Sequence, residues 1–216
     1  MSRTMQVLGA LMICIGCGAR QPPALAADQP DCDSLNIDGD ASKPLQNVTL
    51  PPTKQCKVRM SNGFPLPDPD CTPGASNPSL TLKVLRDPNF RTACVRDDAS
   101  SANAKAGTYE WYRTPHPEQN KGVKQTCELD HLISLELGGA DTLDNIWPQC
   151  GPSGVVLTAR YFKQKDMVEN YLAARVRTGA IRLADAQKGI AEDWTQFLEK
   201  AKDACKSGKC KFEGPD

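Results

Sequence analysis

The stretch ELDHLISLELGGADTLDNIWPQ, residues 128–149, decides the fold that we predict for this chain. Read with a period of two residues, the segments CELDHLISL and NIWPQ predict two short strands. The segment GGADTLD between them has the Gly-Gly pair and the aspartates that are typical of a hairpin loop. Cys127 and Cys150 flank the stretch, so a disulfide bond between them is predicted to close the hairpin.

Two amphipathic helices are predicted after this hairpin. Tyr161, Val168, Leu172 and Val176 form an apolar stripe on a helix of roughly five turns that ends at Thr178-Gly179. A second stripe predicts another helix over about residues 182–200. Two such helices joined at a glycine cover one face of a small sheet. The predicted fold class is therefore α+β, with a ββα core over about residues 127–176 and an αα-hairpin that follows it.

The composition of the chain excludes little. With 216 residues, the chain suffices for one ordinary domain and is short for two. Its 26 basic and 26 acidic residues cancel, so the net charge indicates neither a nucleic acid, nor a membrane surface, nor an acidic partner.

Residues 1–27 are predicted to be an export signal. Arg3 precedes an apolar run over residues 7–17, and PALAA at residues 23–27 offers a cleavage site near Ala26 or Ala27. Gly16-Cys17 also resembles the lipid-modification site of bacterial lipoproteins, so anchoring through Cys17 is the alternative. No later stretch approaches the ~20 apolar residues that cross a bilayer. We therefore expect an exported protein, periplasmic or secreted, with no transmembrane segment in the mature chain.

Ten cysteines occur in the chain, and eight of them lie outside the signal. An even number of cysteines in an exported chain indicates disulfide bonds, so these eight are predicted to be paired. Structural zinc is the rival interpretation, but the mature chain lacks a C-x-x-C pair. Pairing of neighbours predicts four bonds: Cys32–Cys56, Cys71–Cys94, Cys127–Cys150 and Cys205–Cys210. Residues 28–70, rich in Pro, Asp, Asn and Gly, predict an irregular N-terminal lobe, and residues 71–216 form the remaining domain.

The order of polar residues around the hairpin resembles the HNH endonucleases of the His-Me finger superfamily. Asp130 and His131 end the first strand, Gly138-Gly139 lies in the loop, and Asn145 begins the second strand. KDMVENYL at residues 165–172 and LADAQKGIAEDW at residues 183–194 also look like the tail of exported bacterial HNH proteins. The resemblance covers about residues 71–197 and implies a ββα-metal finger that cleaves DNA or RNA with a divalent metal, most simply Mg²⁺, with Mn²⁺, Ca²⁺ or Zn²⁺ as alternatives.

The chemistry of phosphodiester cleavage suggests a role for each motif residue. A neutral imidazole can take a proton from water, which makes His131 the candidate general base. A carboxylate oxygen suits a hard cation, which makes Asp130 the candidate metal ligand. The Asn145 amide would either bind the metal or orient the imidazole. Successive side chains of a regular strand point to opposite faces, so Asp130 and His131 can share a site only at a strand end or a bulge.

The third motif position of the family commonly carries a metal-binding histidine, and no histidine follows His131. Gln149, Lys165 and Glu169 remain as substitutes, of which Glu169 is preferred. Lys165 and Glu169, four residues apart, also have the spacing of a solvated ion pair on a helix.

Residues 155–188 hold seven basic residues against three acidic ones, so this helix is either a phosphate-binding surface or an ordinary solvated face. The first interpretation assigns nucleic-acid contacts to Arg160, Lys163 and Lys165. The whole sequence therefore predicts an exported, metal-dependent endonuclease. The alternative is a non-catalytic exported or envelope-associated binding module that keeps the finger as a scaffold.

Overall fold

The structure is a computed structural model that describes residues 32–35, 37, 54–96 and 105–208. The predicted export signal, including Cys17, and Cys210 lie outside the described residues. The strands are β1 Arg59–Ser61, β2 Phe64–Leu66, β3 Cys127–His131 and β4 Ile146–Cys150. The helices are α1 Leu82–Leu85, α2 Thr108–Trp111, α3 Tyr161–Arg177, α4 Leu183–Asp193 and α5 Leu198–Lys206. The fold is thus α+β, as predicted.

Strands β3 and β4 form the predicted antiparallel hairpin. Their register runs without a bulge from Cys127 opposite Cys150 to His131 opposite Ile146. His131 is therefore the last paired residue of β3, and the chain turns into the loop directly after it. Asp130 and His131 thus lie at a strand end, one of the two arrangements that the prediction required, and not at a bulge.

The Gly-Gly pair of the connecting loop is required by close packing. Gly138 has a left-handed backbone with a φ of 74°, which favours glycine. A Cβ atom on Gly139 would lie 1.8 Å from the carbonyl oxygen of Ile133, so no larger residue fits there. The loop consequently folds back against the residues that follow β3.

Helix α3 confirms the first predicted helix. It spans 17 residues and ends at Thr178, after which Gly179 takes a φ of 77°. The second predicted helix is interrupted, which corrects the prediction of one helix over residues 182–200. Asp193 adopts an extended backbone and its carboxylate accepts a hydrogen bond from the Thr195 backbone N–H at 2.9 Å. This cap starts a 3₁₀ turn, Trp194–Phe197, that separates α4 from α5.

The main core lies between helices α3, α4 and α5. Val168, Leu172 and Trp194 are fully buried in it, and Leu66 of β2 joins the same cluster. The β1–β2 hairpin is also fastened by the Trp194 indole N–H, which donates to the Pro65 carbonyl at 3.3 Å. The β1–β2 hairpin of the predicted N-terminal lobe therefore packs on the helical core.

The disulfide bonds confirm one predicted pair and correct two. Cys127–Cys150 closes the β3–β4 hairpin as predicted. Cys56 pairs with Cys71 and Cys32 pairs with Cys94, instead of Cys32–Cys56 and Cys71–Cys94. The reason is that the β1–β2 hairpin brings the residues that flank it together, which order along the chain does not reveal. Cys205 is disulfide-bonded, and its predicted bond to Cys210 falls outside the described residues. None of the described helices has the length and apolarity to cross a membrane.

Candidate active site at the end of strand β3

A cavity of about 400 Å³ opens beside the end of β3. Residues of β3, of the following loop, of α3 and of the 3₁₀ turn near Cys94 line it. Its ionisable lining consists of His131, five carboxylates and two cations: Glu128, Asp130, Glu136, Asp166, Glu169, Arg96 and Lys163. The structure thus brings four of the sequence-predicted site residues to one cavity: Asp130, His131, Lys163 and Glu169.

The His131 imidazole is held by a buried carboxylate. Its Nε2 atom lies 2.7 Å from Asp141 Oδ1, and the other oxygen of Asp141 accepts from Lys105 Nζ at 2.7 Å. A carboxylate that pairs with a lysine accepts hydrogen bonds, so Nε2 carries the proton. Among the described residues no group bonds to Nδ1, which keeps its lone pair. The ring is therefore oriented as a proton acceptor at Nδ1.

The surroundings of His131 keep it neutral. The side chain is nearly buried, and burial lowers its pKa below the ordinary value of 6.5. The hydrogen bond to Asp141 raises the pKa, whereas Arg96 and Lys105 lower it further. Because the lowering effects prevail, the imidazole is unprotonated at neutral pH.

Asp130 binds a lysine from helix α3. Its Oδ2 atom lies 2.9 Å from Lys165 Nζ, a distance of an ion pair, although the contact lacks the angles of a good hydrogen bond. Lys165 is 0% exposed. Its ammonium also pairs with Glu169 Oε1 and donates to the backbone carbonyl of His131 at 2.7 Å. The interpretation of Lys165 and Glu169 as a solvated pair was therefore wrong, since the pair lies inside the protein.

Four of the cavity carboxylates have raised pKa values: Glu128, Asp130, Glu136 and Glu169. Burial, together with neighbouring acids, raises the pKa of Glu128 to about 7 and that of Glu136 to about 8. Burial likewise raises the pKa of Asp130 to about 6 and that of Glu169 to about 7, against the opposing effect of Lys165. At neutral pH Glu128 and Glu136 consequently hold part of their protons, and the cavity carries less negative charge than its five carboxylates suggest.

Asn145 has a different role from either of those predicted. Its side chain is 0% exposed, donates to the carbonyls of Ile133 at 2.9 Å and Ala140 at 2.7 Å, and accepts from the Ile133 N–H at 2.9 Å. The amide oxygen is thus used by the backbone, and Asp141 rather than Asn145 orients the imidazole. Asn145 fastens the two ends of the loop together.

The predicted nucleic-acid contacts also need correction. Lys165 is enclosed by its carboxylates, and Arg160 is 5% exposed with its guanidinium donating to the Pro152 carbonyl. Neither side chain is accessible to a phosphate. Lys163 lines the cavity and is 36% exposed, so it keeps this assignment, although it pairs with Asp166 at 2.7 Å.

The side chains predicted as metal ligands, those of Asp130, Asn145 and Glu169, are not arranged around one open position. Lys165 stands between the two carboxylates, and the Asn145 oxygen accepts from the backbone. In the described part of the chain no three His, Cys, Asp or Glu side chains cluster as metal ligands. Gln149, the other candidate, is fully buried without a hydrogen-bond partner for either side-chain atom among the described residues, and it is not part of the cavity lining.

Sequence reasoning missed Asp141, Lys105 and Glu128. Asp141 stands in GGADTLD, where aspartate is typical of a turn, and Lys105 stands in a small polar segment that predicts an exposed loop. The position of Glu128, two residues before Asp130 in a strand, was the available signal, since alternate residues share a face.

No family model, curated protein or solved structure matches this chain.

Proposed function

We propose that this chain is an exported endonuclease that hydrolyses phosphodiester bonds of DNA or RNA with His131 as the general base. One observation carries the proposal: the buried His131 imidazole, with Nε2 fixed by Asp141, stands at the wall of a polar cavity. The order of β3, loop, β4 and α3 is also that of the ββα finger which the sequence resembles.

In the proposed mechanism, His131 activates a water molecule. Nδ1 takes a proton from the water, whose oxygen attacks the phosphorus as the bond to the leaving oxygen breaks. The imidazolium that forms is stabilised by Asp141, and Lys105 holds that carboxylate in place. The leaving oxygen takes a proton from Glu128, which lines the same cavity and holds its proton up to a pH of about 7.

The phosphate is held by the cations of the cavity wall. Arg96 is close enough to lower the pKa of His131, and Lys163 extends from α3 toward the same space. The partial protonation of the neighbouring carboxylates reduces their repulsion of an anion. A divalent metal is implied by the resemblance, but its predicted ligands do not fit, so no step depends on one.

Export is supported by the disulfide bonds. Structural disulfide bonds such as Cys32–Cys94, Cys56–Cys71 and Cys127–Cys150 are typical of an oxidising compartment and rare in the cytosol. Residues 1–27 supply the signal for it, with lipid attachment at Cys17 as the alternative. Mass spectrometry of the mature N-terminus distinguishes the two.

A cleavage assay tests the proposed function. Parent protein, His131→Ala and His116→Ala are incubated with supercoiled plasmid DNA and with RNA. His116 is the other histidine of the chain and packs against the Tyr109 ring, away from the cavity lining, which makes it a matched control. We expect His131→Ala to lose at least about 10²-fold in rate and His116→Ala to match the parent. Parental cleavage by His131→Ala would contradict the mechanism.

A second candidate is a non-catalytic exported binding module. The observation in its favour is the five carboxylates of the cavity, which suit a cationic ligand better than a phosphate. If the parent cleaves neither DNA nor RNA, this candidate replaces the nuclease.

A further inference from the structure

The Lys165 ammonium sits in an all-oxygen cage that is built from two elements. Asp130 Oδ2 at 2.9 Å and the His131 carbonyl at 2.7 Å come from β3, and the Glu169 carboxylate comes from α3. Two carboxylates and a backbone carbonyl are the hard oxygen donors that Mg²⁺ and Ca²⁺ prefer in proteins. The ammonium donates hydrogen bonds to the His131 carbonyl and to Glu169, and it meets Asp130 as an ion pair.

This lysine is charged despite complete burial. Burial alone would lower its pKa, but the charges of Asp130 and Glu169 outweigh that effect and raise the pKa above its ordinary value. A buried carboxylate pair without a cation would repel itself, so the site requires a positive charge at this point. Lys165 supplies that charge from within the chain.

We propose that the Lys165 ammonium is the resident cation of this site and takes the place of a divalent metal ion between Asp130 and Glu169. Lys165 is a positioning residue, because it is enclosed and reaches no substrate. By donating to the His131 carbonyl it fixes the end of β3 while Asp141 fixes the ring. The catalytic consequence, which rests on the proposed nuclease function, is that cleavage does not require an added divalent metal.

Replacing Lys165 should convert the cage into a metal site. In Lys165→Ala the two carboxylates lose their counter-charge, and a divalent cation can enter the space that the side chain leaves. Mn²⁺ alone serves as the probe, since carboxylate and carbonyl oxygens suit it. Each protein is treated with chelator and then titrated with Mn²⁺ by calorimetry. The proteins are the parent, Lys165→Ala, Lys165→Ala/Asp130→Asn and the surface control Lys188→Ala. Lys188 suits the control because its side chain is 75% exposed on α4.

We expect the parent and Lys188→Ala to bind Mn²⁺ no tighter than about 1 mM, the weak end of biological sites. Lys165→Ala should bind one Mn²⁺ at least about tenfold tighter, and the added Asp130→Asn should remove that gain. If Lys165→Ala folds only with Mn²⁺, as followed by circular dichroism, the same conclusion holds. Failure of Lys165→Ala either to bind Mn²⁺ or to be refolded by it would overturn the proposal.

Mn²⁺ binding and plasmid cleavage by the parent protein give a second test of the proposal. If the parent binds one Mn²⁺ below about 1 mM and Asp130→Asn abolishes that binding, Asp130 is an ordinary metal ligand and the proposal is wrong. Cleavage of plasmid by the parent in excess chelator is expected, and cleavage that only Mg²⁺ or Mn²⁺ restores would overturn the catalytic consequence. A parent that cleaves nothing refutes the nuclease function, whereas the Mn²⁺ titrations still decide the role of Lys165.

Discussion

The imidazole of His131 owes its protonation state to burial and to three charged neighbours. Burial, Arg96 and Lys105 disfavour the imidazolium, whereas Asp141 favours it. A general base must be unprotonated in the free enzyme, so these neighbours extend its working range toward acid. The sequence predicted His131 as the base, because a histidine beside an acid at a strand end is a recognisable pattern. It did not predict the partner, since Asp141 is ten residues away across the loop.

The first prediction concerns the dependence of cleavage on pH. Because the pKa of His131 is lowered, we expect the rate to rise with pH and to reach half of its maximum below pH 6.5. With Glu128 as the proton donor, the rate should fall again above a pH of about 7. A profile of kcat/KM against pH for the parent measures both limbs.

Two variants test whether His131 causes the acidic limb of the pH profile and Glu128 the alkaline limb. Asp141→Asn removes the group that raises the pKa of His131, so the acidic limb should move to still lower pH while the rate falls. Glu128→Gln should remove the alkaline limb. An acidic limb that stays in place in Asp141→Asn would show that another group is the base.

Among the elements, the loop between β3 and β4 determines where the site residues lie. Gly139 allows the chain to pass against the Ile133 carbonyl, and Asn145 bonds to both ends of the turn. The sequence predicted a hairpin loop from the Gly-Gly pair. The purpose of Asn145 could not be predicted, because an asparagine amide serves equally as metal ligand, ring partner or backbone clamp.

Asn145→Ala should therefore act mainly on stability. Its loss leaves the Ile133 and Ala140 backbone groups buried without partners, and we expect the free energy of unfolding to fall by about 3 kcal/mol or more. Urea denaturation of the parent and the variant measures the difference. Unchanged stability together with lost cleavage would instead assign Asn145 to the chemistry.

The apolar periodicity of the sequence predicted one helix boundary and missed another that a side-chain hydrogen bond determines. The apolar stripe predicted α3 correctly, and Gly179 marks its end in the sequence. A stripe of apolar residues continues across Asp193 without a break, so periodicity predicted one helix there. The cap that the Asp193 side chain makes to Thr195 became visible only in the structure.

Over the whole molecule, the raised carboxylate pKa values couple stability to pH. Burial raises the pKa of Glu136 from its ordinary value of 4.5 to about 8 in the folded protein, so between these pH values the folded state holds more protons than the unfolded state. Raising the pH therefore favours unfolding, and the stability that this group contributes below pH 4.5 is lost as the pH rises through 8. Glu128 and Glu169, with pKa values of about 7, act in the same direction.

The expected result is a parent protein whose free energy of unfolding falls between pH 6.5 and 9. Glu136→Gln removes one titrating group and should reduce this fall by on the order of 2 kcal/mol. Urea denaturation across that range is the measurement. An equally steep fall in Glu136→Gln would mean that Glu136 is already ionised in the folded protein at pH 6.5.

The most direct test of His131 as the general base is chemical rescue. In His131→Ala the proton acceptor is missing while Asp141, Glu128 and the cavity remain. Free imidazole added to this variant should restore part of the cleavage rate, in proportion to its concentration, and should leave the rates of the parent and of His116→Ala unchanged. Cleavage by His131→Ala at the parental rate without imidazole would contradict the account.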